Sequence, residues 1–328
     1  MTVRSLHSTV PKLHVELQRQ PRLSAWLSRL FQAKLFQARP FQNWLFRSRI
    51  WVAGAAAALT AFVELQWHTA PFSLSAFFSL PVAIVFCATV LIYGVDDLWD
   101  GLKELDRQPR LAQPLLVVSA FIALVIALCW APQAVVWIVV PGLIACLGYG
   151  APLFGLRSRI ASQILLDDLD GGTRKQRRSG WKVLPGVKSA FVAVALTTAA
   201  VAIPWLCCEA RPPIEELIAA VVCVFVITVN NATLFDVSDL RRDRVAGIPT
   251  LPVLIGAART RCSLITLHVV ALLVLLRISS GEVVWVVMAS AALAGVPAIT
   301  HSRRRADICI DGFPYAVLAV AAVAQMVA

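Results

Sequence analysis

The stretch IAAVVCVFVITVNNATLFDVSDLRRDRVAG, residues 218–247, combines the two features that decide the fold of this chain. Residues 218–235 carry no charge and are mostly apolar. A helix needs about 20 such residues to cross the hydrocarbon core of a bilayer. Three acids then follow at Asp236, Asp239 and Asp243. The stretch therefore predicts a transmembrane helix that ends in an acidic motif at the membrane surface.

The whole chain has the composition of a membrane protein. Of its 328 residues, 59% are hydrophobic and 15% are charged, whereas about 25% of the residues in soluble domains are charged. The apolar residues fall into blocks of about 17–20 residues, so we expect an all-α, multi-spanning membrane helix bundle of about nine transmembrane helices. The predicted spans are residues 50–67, 74–93, 114–130, 134–153, 189–206, 218–235, 262–279, 283–299 and 313–327.

Residues 1–49 form a basic arm that precedes a membrane domain of residues 50–328. The arm contains nine Lys and Arg residues but only one acid, Glu16, and it lacks the continuous apolar core of a signal peptide. Residues 23–46 carry apolar side chains at helical spacing, which favours a helix lying on an anionic membrane surface. A disordered basic tail and a transit peptide are the alternatives.

The basic residues of the chain lie almost entirely on one side of the predicted spans. With the arm in the cytoplasm, all 30 Lys and Arg residues except Arg211 and Arg277 fall on the cytoplasmic side. This strong positive-inside signal predicts a multi-pass membrane protein whose N-terminus and acidic loops are cytoplasmic. Topology also explains the net charge of +11, so we expect no nucleic-acid partner.

Two acidic motifs have the same spacing. The first motif, DDLWDGLKE at residues 96–104, follows the second span, and the second motif, DVSDLRRD at residues 236–243, follows the sixth. Each presents three carboxylates at positions i, i+3 and i+7, which share one face of a helix. Mg²⁺ takes oxygen ligands and typically bridges carboxylates to substrate phosphates; solvated acidic helix ends are the alternative. The predicted metal ligands are Asp96, Asp97, Asp100, Glu104, Asp236, Asp239 and Asp243.

The motifs resemble those of the UbiA superfamily of intramembrane prenyltransferases, which has nine spans and Asp-rich motifs after the second and sixth. The first motif is similar to the family's NDxxDxxxD. The second is similar to its DxxDxxxD and continues into AGIPTLPVLIG at residues 246–256, which is similar to the family's TLPV-like stretch. A family pattern after the fourth span is matched by Tyr149, Pro152, Leu156 and Arg157. The resemblance covers roughly residue 50 to the C-terminus.

The chain departs from the family's pattern at three places. Asp96 replaces an Asn and Glu104 replaces an Asp, but both keep an oxygen ligand. At residues 113–115, QPL replaces the family's RPL. This change removes a possible phosphate contact and leaves Arg110 as a candidate substitute.

Cations on the cytoplasmic side are expected to complete the site by neutralising the leaving oxygens of a diphosphate. Lys188 is the strongest candidate because it stands at the start of the fifth span. For each of these basic residues, the alternative role is that of a topology anchor, which fixes the orientation of the protein in the membrane. The predicted catalytic residues are Lys188, Arg157 and Tyr149, and the predicted substrate-binding residues are Asn230, Asn231, Lys103, Arg107, Arg110 and Lys182.

Other polar residues have open or structural interpretations. Asn230 and Asn231 precede the second motif by about one turn and hydrogen-bond either the substrate or neighbouring helices. His268, a lone histidine in the seventh span, is expected to pack against neighbouring helices rather than to act in catalysis. The loop after the fourth span is interpreted as a charged cytoplasmic insertion rather than a metal site, although it contains Asp167, Asp168 and Asp170.

The resemblance implies an Mg²⁺-dependent enzyme that transfers an isoprenyl group from a prenyl diphosphate to a hydrophobic acceptor, with an aromatic acceptor favoured. Its partners would be these two substrates and the lipid bilayer; the sequence carries no signal of the oligomeric state. One alternative is a UbiA-type membrane terpene cyclase, and another is a lipid or small-molecule transporter. The acids cluster at one membrane face, whereas a transporter more often places polar groups near the midplane.

Overall fold

A computed structural model describes residues 49–67, 78–103, 112–150, 187–278, 281–301, 306 and 308–327. These residues are mostly helical and include no β-strand, which confirms the all-α prediction. The α-helices are α1 (Ile50–Trp67), α2 (Leu80–Lys103), α3 (Ala112–Trp130), α4 (Gln133–Gly150), α5 (Val187–Thr197), α6 (Ile203–Cys207), α7 (Ile214–Ser238), α8 (Leu240–Ala246), α9 (Leu251–Ile255), α10 (Ala257–Ile278), α11 (Gly281–Gly295) and α12 (Phe313–Val327). A π-helical turn at Thr198–Ala202 joins α5 to α6, and a 3₁₀ turn spans Pro297–His301.

Within the described residues, six helices are long and apolar enough to cross a membrane, and three apolar helices are shorter. The chain is therefore a multi-pass membrane protein, as predicted. The nine helices correspond to the nine predicted blocks, but the exact count of nine spans stays a prediction because three of them are shorter. The six long ones are Ile50–Trp67, Leu80–Leu98, Gln113–Trp130, Val187–Cys207, Ile214–Ser238 and Ala257–Ile278, and the shorter ones are Gln133–Tyr149, Val283–Gly295 and Phe313–Val323.

Several helices, among them α2 and α7, extend beyond their predicted spans. Helix α2 continues past residue 93 to Lys103, so the start of the first motif is helical rather than part of a loop. Helix α7 begins at Ile214, before the predicted start at residue 218. Its first turn contains Glu215 and Glu216, whose negative charge is favourable at a helix N-terminus. Hydropathy alone missed both extensions because the added turns are polar.

Helix α1 lies at the centre of the bundle, since its residues belong to both of the large apolar clusters. Its small side chains permit close approach of neighbouring helices. At Gly54, helix α12 comes so near that an added Cβ would lie 1.9 Å from Tyr315 Oη. Tyr315 Oη donates a hydrogen bond to the Trp51 carbonyl at 2.8 Å. The last helix therefore packs directly against the first.

Candidate functional site

Residues 96–103 of the first motif lie on the last turns of α2. There Asp97 is bound by Arg49, the residue that directly precedes α1. Arg49 Nε and Nη2 donate to Asp97 Oδ2 and Oδ1, each at 2.8 Å. The guanidinium also lies over the Tyr93 ring, 6.0 Å from its centroid. Two parallel charge-assisted hydrogen bonds fix both groups in orientation as well as in position. The N-terminal end of α1 is thereby joined to the first motif.

The second motif is bound by the first residues of α5. Lys188 Nζ donates to Asp236 Oδ1 at 2.6 Å and lies 3.7 Å from Asp243 Oδ2. Ser189 Oγ donates to Asp236 Oδ2 at 2.5 Å. Asp236 is 1% exposed and Asp243 is 4% exposed. One ammonium therefore faces two buried carboxylates, which leaves this group with an excess of negative charge.

The backbone keeps Asp236 and Asp243 on a common side although the helix is interrupted between them. Helix α7 ends at Ser238, and Asp239 has φ −94° and ψ 5°. The helix is therefore interrupted at Asp239. The Asp239 N–H nevertheless bonds the Phe235 carbonyl and the Asp243 N–H bonds the Asp239 carbonyl, each at 2.9 Å. These i→i−4 bonds continue the helical path, so both carboxylates reach Lys188.

The oxygens of Asp243 fit a hard divalent cation. Burial raises the pKa of Asp243 above its ordinary value and Asp236 and Asp239 raise it further, whereas Lys188 and the neighbouring Thr250 hydroxyl lower it. Its Oδ2 is buried without a hydrogen-bond partner within the described part of the chain. A divalent cation would supply the missing positive charge and accept this oxygen as a ligand. Asp243 thus offers an oxygen of the kind that Mg²⁺ takes, although the three carboxylates of this motif do not form a metal site by themselves.

Tyr149 lies within electrostatic range of a carboxylate of each motif. Its ring stacks on Phe191 with the centroids 4.5 Å apart and an interplanar angle of 9°, and Phe191 lies one turn after Lys188. The Tyr149 hydroxyl interacts electrostatically with Asp236 of the second motif and with Asp96 of the first. Carboxylates of both motifs therefore border the same region, next to the predicted catalytic residue Tyr149.

Several predicted site residues lie outside the described side chains. The described residues contain no group of three Asp, Glu, His or Cys side chains that would hold a metal ion by themselves. The backbones of Asp100 and Lys103 lie in α2, but their side chains are outside the description. The assignments of all these residues stay predictions. Residues wholly outside the described ranges are Glu104, Arg107, Arg110, Arg157 and Lys182, together with the loop acids Asp167, Asp168 and Asp170.

Asn230 bonds to a neighbouring helix. Its Nδ2 donates to the Ser290 carbonyl at 3.0 Å and to Ser290 Oγ at 3.1 Å. Ser290 Oγ lies 3.0 Å from His268 Nε2, and His268 Nδ1 lies 2.7 Å from the Leu264 carbonyl. Because a carbonyl only accepts, Nδ1 carries the ring proton and Nε2 accepts from Ser290. This fully buried chain joins α7, α10 and α11.

These contacts agree with the interpretation of Asn230 as a link between helices and of His268 as a packing residue. Asn231 Nδ2 similarly donates to the Ile310 carbonyl at 3.2 Å. The Oδ1 atoms of both asparagines are buried and have no hydrogen-bond partner among the described residues. Their predicted contact with substrate stays a prediction.

Sequence reasoning missed three polar residues near the site. Arg49 was counted only as a topology anchor, and Ser189 was not singled out. Asp311, which is 7% exposed, interacts electrostatically with Tyr93. A signal for Arg49 was present, because Arg49 precedes Asp97 by 48 residues and Lys188 precedes Asp236 by the same number. No comparable signal marks Asp311.

Comparison with known structures shows the same fold. The chain has the fold of a UbiA homologue from Archaeoglobus fulgidus, with a TM-score of 0.54 and 17% identity over 84% of this chain and 97% of that one. A structure of a UbiA homologue from the same organism bound to Cd²⁺ gives a TM-score of 0.50 and 17% identity, covering 82% and 96% of the two chains. The resemblance to the UbiA superfamily is thus confirmed for the fold.

A curated relative is a lycopene elongase/hydratase from Haloferax volcanii. It is 30% identical over 230 residues, which cover 66% of this chain and 63% of the relative. The chain therefore matches less than two thirds of that protein's length. No protein-family model matches the chain.

Proposed function

We propose that this chain, which has the UbiA fold, is an Mg²⁺-dependent intramembrane prenyltransferase. It transfers an isoprenyl group from a prenyl diphosphate to a lipophilic acceptor. The observation that supports the proposal is that each acidic motif holds a cation of the chain and that each has a carboxylate within electrostatic range of Tyr149. Such an arrangement combines negative charge for a divalent cation with positive charge for a diphosphate.

The residues that would hold Mg²⁺ are the carboxylates of the two motifs, with Asp97 and Asp236 as the principal pair. The buried Oδ2 of Asp243, which has no hydrogen-bond partner among the described residues and lies 3.7 Å from Lys188 Nζ, supports a role of the second motif. A UbiA homologue from Archaeoglobus fulgidus has been solved bound to Cd²⁺. Bound Mg²⁺ supplies charge neutralisation that makes diphosphate a better leaving group. The further ligands proposed from the two motifs are Asp96, Asp100, Asp239 and Glu104.

The chain's own side chains have distinct proposed roles around this centre. Lys188 holds Asp236 in place at 2.6 Å and contributes a positive charge close to the departing diphosphate. The stacked rings of Tyr149 and Phe191 present aromatic faces that stabilise positive charge developing on the allylic carbon. The surrounding apolar helices exclude water, so the cation meets the acceptor before it is hydrolysed.

The acceptor is proposed to be lipophilic because the site lies at the ends of helices in a membrane bundle. The name of the curated relative indicates that it acts on lycopene, a hydrocarbon. A hydrocarbon acceptor is therefore a candidate alongside the aromatic acceptor expected from the sequence. The positive-inside distribution of basic residues supports a cytoplasmic position for the N-terminus and for both motifs.

The test is diphosphate release by the purified protein in lipid nanodiscs, followed by mass spectrometry. A panel of prenyl diphosphates would be supplied with Mg²⁺ or with a chelator, and with an aromatic acceptor, lycopene or none. We expect release that requires Mg²⁺, is accelerated by a lipophilic acceptor and yields that acceptor with the full prenyl chain added.

Two other outcomes would contradict the proposal. Rapid release without acceptor that yields a cyclic product would indicate a terpene cyclase. Folded protein that releases no diphosphate from any donor, but moves a labelled lipid across vesicle membranes, would indicate a transporter. The matched inactive control is Asp236→Asn, which removes one predicted ligand and changes little in side-chain size.

A further inference from the structure

The contacts of Arg49 and Lys188 are alike in sequence separation and in position relative to the helices. Arg49 directly precedes α1 and binds Asp97 near the end of α2, while Lys188 is the second residue of α5 and binds Asp236 near the end of α7. The two members of each pair are 48 residues apart. The same shift along the chain that relates Asp97 to Asp236 therefore relates Arg49 to Lys188.

We propose that Arg49 is a diphosphate-binding residue that holds Asp97 only until a divalent cation arrives. The guanidinium then transfers from Asp97 to the oxygens of the diphosphate. This inference rests on the proposed function and adds to it a second cation of the chain, equivalent to Lys188. It also assigns a role to the last residue of the basic arm.

The chemistry of the guanidinium supports this exchange. Its fork binds two carboxylate oxygens at 2.8 Å each, and the same fork matches the oxygens of a phosphate group. Once a hard cation takes the oxygens of Asp97, the fork of the guanidinium can bind the oxygens of a diphosphate held by that cation. The Tyr93 ring, 6.0 Å away, keeps the guanidinium at the site after Asp97 is released.

The exposure and backbone of Arg49 favour the same interpretation. Its side chain is 32% exposed, against 23% for Asp97, so it is not fixed by burial and can turn to a new partner. Arg49 has φ 62°, and among the described residues it is the one non-glycine residue with positive φ. This left-handed conformation is unfavourable for an L-residue.

The test measures Mn²⁺ binding by electron paramagnetic resonance, first without any anion and then with inorganic pyrophosphate. The full-length protein in nanodiscs would be compared with Arg49→Gln and Arg49→Lys. Loss of the competing guanidinium should let Arg49→Gln bind Mn²⁺ alone about two- to fivefold more tightly. Loss of the phosphate contact should make the same variant bind Mn²⁺–pyrophosphate about tenfold more weakly. Arg49→Lys should fall between Arg49→Gln and the wild type in both measurements.

The opposite signs of the two changes distinguish the proposal from a structural role. A topology anchor would change neither affinity, and general damage to the site would weaken both; either result would overturn the proposal. Arg211→Gln is the matched control, because Arg211 lies over Trp205 at 4.6 Å on the predicted opposite side of the membrane. If Arg49→Gln does not fold, Arg49→Lys decides the question with the charge retained.

The inference and the proposed function fail separately. No prenyl diphosphate is used in the Mn²⁺ experiment, so a wild-type protein without transferase activity would contradict the proposed function alone. A wild-type transferase whose Arg49→Gln variant shows no reversal would contradict this inference alone.

Discussion

Lys188 Nζ lies 2.6 Å from Asp236 Oδ1, and this ion pair joins the start of α5 to the end of α7. The Asp236 side chain is 2% exposed whereas the Lys188 side chain is 34% exposed. The carboxylate is therefore the buried partner, and it depends on the ammonium and on Ser189 for compensation. Its charge would be costly without either a cation of the chain or a metal ion.

Replacement of Lys188 by Met should destabilise the protein by about 3 kcal/mol, because it leaves the Asp236 carboxylate buried and unpaired. The double variant Lys188→Met/Asp236→Asn should recover a large part of this loss, since the uncompensated charge is gone. Unfolding in detergent at constant pH would measure both. A double variant as unstable as Lys188→Met alone would show that the side chain of Lys188 matters for packing rather than for charge.

Replacement of Gly54 by Ala should lower the unfolding temperature. The new Cβ would meet Tyr315 Oη, and that hydroxyl is held by its hydrogen bond to the Trp51 carbonyl. Overpacking of this kind costs about 1–3 kcal/mol. Adding Tyr315→Phe should restore part of the stability, because it removes the clashing oxygen.

The matched control is Gly142→Ala in α4, where an added Cβ meets nothing within 4 Å. Ala is favoured over Gly inside a helix, so this variant should be unchanged or slightly more stable. Equal destabilisation by both substitutions would contradict the close approach of α1 and α12.

Replacement of Ser290 by Ala should destabilise the bundle by about 1 kcal/mol, as hydrogen bonds between membrane helices typically contribute this much or less. It removes the hydroxyl that lies between Asn230 Nδ2 and His268 Nε2. Asn230 keeps its bond to the Ser290 carbonyl, so the loss should be moderate. In the Ser290→Ala background, a further His268→Leu change should have a smaller effect than it has alone. Strictly additive losses would contradict a connected network.

The predicted orientation can be tested with two native cysteines. Cys309 is exposed and lies just before α12, on the predicted cytoplasmic side, and Cys208 is half-buried and follows α6, on the predicted opposite side. In sealed vesicles, a variant that retains only Cys309 should react with an impermeant thiol reagent from the cytoplasmic face. A variant that retains only Cys208 should react from the other face. The reverse pattern would contradict the topology.

The sequence was sufficient to predict most of the membrane fold, because hydrocarbon thickness imposes a length that is visible in the hydropathy of each block. The span at residues 50–67 coincides with α1. Prediction was weaker where polar turns extend a helix, as at the end of α2 and the start of α7. Their helical state depends on charge, capping and tertiary contact, and hydropathy does not report any of these.

The candidate site was predicted only in part, for a similar reason. The spacing of Asp236 and Asp243 indicated a shared face, and Lys188 was favoured because of its place at a span start. Arg49 and Asp311 could not be selected by composition, because a basic residue before a span is ordinarily an anchor and an isolated acid carries no spacing pattern. Their proximity to Tyr93 arises from helix packing.

The measurement that tests the central claim most directly is Mg²⁺-dependent diphosphate release by Asp97→Asn, Asp236→Asn and the double variant. If both motifs act on one bound diphosphate, each single variant should lose several kcal/mol of transition-state stabilisation, which corresponds to a rate lower by about 100-fold or more. The double variant should be little slower than the slower single variant, because residues that act as a unit are not additive. Asp168→Asn in the loop should be close to wild type. A variant of either motif that keeps wild-type release, while its fold is intact, would contradict the claim that the two motifs form one site.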